Sequence, residues 1–269
     1  MTGSVSDAED AVQDVFLKLH EVQLERLTEP RAYLYKMVTN RCRDLFKSAR
    51  KRRELYVGEW LPEPILTSAE ASYEAIEQAE LLSYAMLVLL ERLSASERIV
   101  FVLREAFGFD YEQIAQLIDK TEVNCRKLIS RARTKMGIAS EEKIRAEAAN
   151  EEWVYRFLGA LHQADVNLVL SMLAEDVVLI SDGGGKVFAA VRPVETRNHV
   201  MRFLFGIISQ GQKIEGDTSI EMKEINNQIG LIITTGDGVV TVALMHVEHQ
   251  LIRNIYLIRN PDKLKHILK

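Results

Sequence analysis

Between Asp110 and Arg133 two helical stretches are separated only by Asp119 and Lys120. So short a connection forces the helices to cross and pack on one another, which constrains this chain more than any other segment. Asp110 caps the first stretch, with Ile114, Ala115 and Leu117 facing inward. The second begins at Thr121 and is expected to turn Val123, Leu128, Ile129 and Ala132 inward. Thr121, Glu122, Asn124, Arg126, Lys127, Ser130, Arg131 and Arg133 are left outward. A helix with a polar N-terminal half and a basic flank can enter a major groove while its arginines grip phosphate. Upstream, an apolar helix over 81–93 and a second one capped by Ser94 or Ser96 supply packing partners, with Ile99, Val100, Val102 and Leu103 inward. Phe107-Gly108-Phe109 ends the latter.

The net charge of −5 conceals a strong segregation. Residues 31–53 carry nine basic groups and one acidic, and residues 120–136 carry six and one, whereas 54–119 carry three and thirteen. Two basic blocks on separate helices in an otherwise acidic chain mark a nucleic-acid contact. No apolar run approaches the ~18 residues that span a bilayer. The acidic N-terminus is no signal peptide, and Cys42 and Cys125 lack partners at metal-ligand spacing. These features predict a reduced cytoplasmic protein without membrane, metal or cofactor.

The first basic block lies on the second of two N-terminal helices. In the first, Ser6 or Asp7 is the expected cap, and Ala8, Ala11, Val12, Val15, Phe16 and Leu19 form one apolar face. Asp10, Gln13, Asp14 and Leu17 lie opposite as a partner surface. Thr28 and Pro30 open the second helix. Its stripe of Leu34, Met37, Val38, Cys42 and Leu45 is surrounded by Tyr35, Asn40, Arg41, Asp44, Lys47 and further cations. That mixture suits phosphate neutralisation together with stacking on, or hydrogen bonding to, exposed bases. Trp60-Leu61-Pro62-Glu63-Pro64 then reads as an extended connector with an aromatic anchor.

From residue 145 the pattern changes. Helices over 146–162, 166–173 and 193–209 are interleaved with strands at 176–181, 217–225, 229–235, 239–248 and 251–258, an α+β arrangement. Asp182-Gly183-Gly184-Gly185-Lys186 lacks the glycine spacing, the following helix and the Lys-Ser/Thr of a phosphate loop, and reads as a turn. Asp176, Asp182, His199, His246 and His249 are the candidate acid–base groups. His246 and His249, three apart on a strand, point to opposite faces and do not share a metal.

SDAEDAVQDVFLKLHE with PRAYLYKMVTNRCRDLFKSARKRRE resembles region 2 of extracytoplasmic-function sigma factors, and residues 89–136 resemble their region 4. WLPEP, DGGGK and NPDKL, in that order, resemble the sigma-factor-J-like subgroup with a C-terminal SnoaL-like domain. The resemblance implies an all-α sigma region 2 (1–54), a linker (55–80) and a region 4 helix-turn-helix (81–137), followed by an α+β cone-shaped SnoaL-like barrel (145–269). It also implies one more helix ahead of SDAED. By position, Asp10, Gln13, Asp14 and Leu17 would dock on core RNA polymerase. Asn40, Arg41, Asp44 and Lys47 would face the promoter −10 element, and Thr121, Asn124, Arg126, Lys127 and Arg131 would read the −35 element of promoter DNA. Trp60, Leu61, Pro62, Asp182, Gly183, Gly184, Lys186, Asn260, Pro261 and Asp262 would make a regulatory interdomain contact. The expectation is therefore a transcription initiation factor, not an enzyme, tuned in cis by its last domain, with a small ligand in the cone as a further candidate partner. The alternative is a SnoaL-type isomerase or hydrolase, or a ligand-sensing regulator, carrying a DNA-binding arm.

Overall fold

The computed structural model describes residues 2–20, 22, 29–67, 83–138, 151–211 and 218–267, with the backbone alone for 47–54. Two compact units divide the chain. One comprises 1–55 and 86–144, the other 56–85 and 145–269.

The first unit is helical: α1 (Val5–Leu19), α2 (Pro30–Glu54), most of α3 (Tyr84–Leu90), α4 (Ala95–Glu105), α5 (Tyr111–Ile118) and α6 (Glu122–Met136). Its helix starts are set locally. Ser94 and Glu97 form a capping box on α4, and Asp110 and Gln113 form another on α5. Thr121 accepts the Asn124 amide at the head of α6. Asp119, at φ 54°, takes the left-handed conformation that ends α5 and permits the short turn. On α1, Ser4 is the cap in place of Ser6 or Asp7, because its side chain is the one that receives the Asp7 amide. Met86, Leu90, Ile99, Phe101, Leu103, Ile114, Leu117, Cys125, Ile129, Ala132 and Met136 belong to the core of α3–α6. From α2, Tyr35 and Phe46 pack against it. Tyr35 meets Phe109 and Phe107 edge-on at 5.0 and 5.9 Å, and the Arg98 guanidinium lies 4.8 Å from the Phe46 ring centre. The Arg98 head is buried and held bidentately by Glu91 at 3.0 Å.

Four inward expectations fail here. Ala8 is exposed and Val12 and Phe16 are 49% and 60% exposed, since α1 buries Ala11 and Val15 instead, and Val123 is 61% exposed.

In the second unit α7 (Glu151–His162), α8 (Val166–Met172) and α9 (Arg197–Gly211) pack on a six-stranded sheet. The sheet order is β2-β1-β6-β5-β4-β3: β1 (Leu173–Asp182), β2 (Val194–Glu195), β3 (Ser219–Ile225), β4 (Gln228–Thr234), β5 (Val240–Glu248) and β6 (Leu251–Ile258). Every pairing is antiparallel except β1–β6. Asn226 and Asn227, both at positive φ, make the β3–β4 turn. Ala243, Met245 and Val247 of β5 join the core beneath the helices. Val242 and Leu244, which alternate with them, are fully buried as well. Both faces of this strand are therefore covered, which a sheet backed by helices on one face does not achieve alone.

Candidate functional site

The linker segment belongs to this unit. Residues 56–67 run along the second unit as a strap attached at successive points. At its centre is Asp182, the last residue of β1, whose side chain is wholly buried. One carboxylate oxygen accepts the Tyr56 hydroxyl at 2.5 Å and the Gly184 amide at 3.1 Å. The other accepts the Leu61 amide at 2.9 Å and the Lys263 ammonium at 2.6 Å. Lys263, 4% exposed, also donates to the Leu61 carbonyl at 2.5 Å and lies 3.4 Å from the Trp60 ring centre. Both backbone groups of Leu61 are thus tied to one buried ion pair, and an aromatic face covers the cation.

The flanking contacts extend this grip. Asn260 donates to the Tyr56 hydroxyl at 2.7 Å and its own amide reaches the Asp182 carbonyl at 2.9 Å. Burial first, and then the hydrogen bond to and charge of Asp182, push the Tyr56 hydroxyl well above the ordinary tyrosine range. The hydrogen bond from Asn260 opposes this. Tyr56 therefore remains a donor at any working pH. Tyr84 donates to the Pro62 carbonyl at 2.6 Å and sets its ring edge-on to Tyr256. His266 meets the Pro64 carbonyl. Ile65 and Thr67 exchange hydrogen bonds with Glu224, Asn226 and Asn227, so the strap ends as a short bridge at the edge strand.

The glycines after Asp182 are required by proximity. A side chain on Gly183 would overlap the Val187 carbonyl. One on Gly184, which sits at φ 60°, would overlap the Asn260 amide. Pro261 opens the 3-10 turn that presents Lys263. Lys186 and Asp262 pair at 2.5 Å on the surface beside this site. The structure thus gathers Trp60, Leu61, Pro62, Asp182, Gly183, Gly184, Lys186, Asn260, Pro261 and Asp262 into one region. Tyr56, Tyr84 and His266 were missed by sequence reasoning, and Lys263 was read only as part of the NPDKL motif, without its role as the buried cation. A carboxylate expected in a packed turn calls for a cation, and the lysine of NPDKL was the available signal.

The acid–base candidates go elsewhere. Asp176 pairs with Arg253, His199 contacts Thr196 and Glu195, and His246 contacts Asn254. None of these contacts joins a carboxylate to an imidazole. His249 is in the β5–β6 turn at φ 51°, not on the strand. Among the described residues no cluster of His, Cys, Asp and Glu could hold a metal, and no helix is long and apolar enough to cross a membrane.

In the first unit Asp10, Gln13 and Leu17 are exposed on α1, and Asp14 pairs with Arg41 of α2 at 2.6 Å. Asn40 accepts from Arg43, and Asp44 is exposed. The Lys47 side chain lies outside the described residues. Lys36 reaches across to Asp119 at 2.8 Å, which holds that carboxyl below the usual aspartate range. On α6, Thr121, Asn124, Arg126, Lys127 and Arg131 are all exposed. Arg126 is oriented by Glu122 at 3.1 Å and lies 4.4 Å from the Tyr111 ring centre, at the mouth of a groove of about 440 Å³.

Comparison with known proteins adds lineage to this geometry. Residues 1–52 match the family described as Sigma-70 region 2, and residues 83–136 match Sigma-70, region 4. The ECF RNA polymerase sigma factor SigJ of Mycobacterium tuberculosis is 32% identical, with 98% of this chain and 87% of the relative covered. SigG of the same organism is 24% identical over 66% of this chain and 55% of its own. The crystal structure of M. tuberculosis SigJ superposes with a TM-score of 0.77 at 28% identity, covering 98% of this chain and 91% of that one.

Proposed function

The chain belongs to the extracytoplasmic-function RNA polymerase sigma factors, and on that basis we propose that its C-terminal α+β domain governs initiation in cis through the linker strap. Sigma factors of this family bind core RNA polymerase and promoter DNA. In our reading the protein works in the cytoplasm and the α+β domain performs no catalysis. Asp10, Gln13, Asp14 and Leu17 face the polymerase, joined by the exposed Val12 and Phe16 of the same helix. Asn40, Arg41, Asp44 and Lys47 face the −10 element, and Thr121, Asn124, Arg126, Lys127 and Arg131 face the −35 element. A small ligand of the α+β domain would act by loosening or tightening the strap.

The observation carrying this reading is the Asp182–Lys263 pair, which holds both backbone groups of Leu61. A segment held in this way cannot adopt another path without exposing a buried ion pair, so its release is a natural point of control. The test is transcription by core polymerase reconstituted with this chain, from promoters that the holoenzyme selects out of a random-sequence library. Wild type should give defined transcripts, and Lys263→Met should change their yield severalfold. Absence of any promoter-dependent transcript would overturn the initiation reading. An unchanged yield from Lys263→Met would overturn control through the strap.

A further inference from the structure

The exposed valine of α6 has no packing role. The buried stripe of this helix is Cys125, Ile129, Ala132 and Met136, and two residues of α-helix turn Val123 about 200° away from Cys125. Its neighbours one and two turns on, Lys127 and Ser130, are exposed with it. Thr121 fixes the rotation, because its side chain binds the Asn124 amide and sets the first turn. A β-branched residue is a mediocre helix former, and here its isopropyl group, 61% exposed, gains nothing from the core. Around it stand Arg126, Lys127 and Arg131, against the single carboxylate of Glu122 on this helix.

Such a cationic helix complements duplex phosphate, and the N-terminal residues of a recognition helix meet base edges. The apolar group displayed on base edges in the major groove is the C5-methyl of thymine. We propose that Val123 reads a thymine methyl group in the −35 element. Asn124 and Lys127 beside it supply hydrogen bonding and charge. Val123 is thereby a specificity-determining residue of the helix. This inference rests on the reading of α6 as the −35 reader.

The experiment uses the holoenzyme and a duplex it has selected from a random library. Each thymine of the −35 half is replaced singly by deoxyuridine, which removes only the methyl group, and Kd is measured for wild type and Val123→Ala. One replacement should weaken wild-type binding about fourfold, the worth of one buried methyl-sized group. Val123→Ala should lose a similar factor on the thymine duplex and be indifferent to that same replacement. Exposed alanine preserves the helix, and an unchanged melting temperature checks this. The proposal is overturned if no replacement affects wild type, if Val123→Ala keeps the full thymine preference, or if the selected half-site contains no thymine. Failure of Asn124→Ala and Lys127→Ala to weaken binding would instead remove the underlying assignment of α6.

Discussion

Lys263 is 4% exposed and faces a carboxylate that water does not reach. Removing the cation leaves Asp182 charged, buried and short of a partner, while the carbonyl of Leu61 loses its donor. Lys263→Met should therefore destabilise the second unit by about 3–5 kcal/mol, read as a shift in its denaturant midpoint. Lys186→Met, on the exposed pair with Asp262, should cost less than about 1 kcal/mol in the same assay. The Asp262 carboxyl is held below the ordinary aspartate range by Lys186 and then by Lys265. A depressed folded pKa contributes stability that is present above the unfolded value and is lost as pH falls through the folded one. Denaturation midpoints should accordingly hold from neutral pH down to about pH 5 and decline as pH falls below about 4. Asp262→Asn should flatten part of that decline.

At the level of elements, the strap and the turn after β1 form one unit of structure. Gly184→Ala must move either Asn260 or the turn itself, because the added methyl group overlaps the Asn260 amide and the left-handed φ disfavours a side chain. Amide exchange over residues 56–67 should speed up in Gly184→Ala and stay unchanged in Gly159→Ala, whose Cβ would meet open space on a helical backbone. Equal protection in both variants would show that the strap does not depend on this turn. The helix caps are independent of such long-range contacts. Ser94→Ala removes one side of the box on α4 and should cost about 1 kcal/mol in the first unit.

For the molecule as a whole, the segregated charge sets the response to salt. Each phosphate-facing cation contributes about one unit to the slope of log K against log salt. Lys127→Ala and Arg131→Ala should each lower that slope by about one for duplex binding by the holoenzyme, whereas Val123→Ala should leave it unaltered. Short-range features were legible in the sequence. The caps at Ser94 and Asp110, the turn at Asp119 and the alternating strands depend on neighbours within a few residues. Apolar spacing was less reliable. On α1 it placed Val12 and Phe16 inside because periodicity identifies a stripe without saying how much of it a partner helix covers. On α6 the inward stripe passes through Cys125 and leaves Val123 outside. The three peptide motifs were recognisable, but their chemistry was not. Tyr56 meets Asp182 across 126 residues, Leu61 meets Lys263 across 202, and Asn260 meets Tyr56 across 204. By itself the sequence determined the helix-turn-helix, the two basic helices and the α+β class, since local hydrogen bonding and periodicity suffice for these. Only the tertiary structure decided that the linker is strapped down by a buried ion pair, because a charge is stable out of water only beside a partner, and the partner of Asp182 comes from 81 residues along the chain.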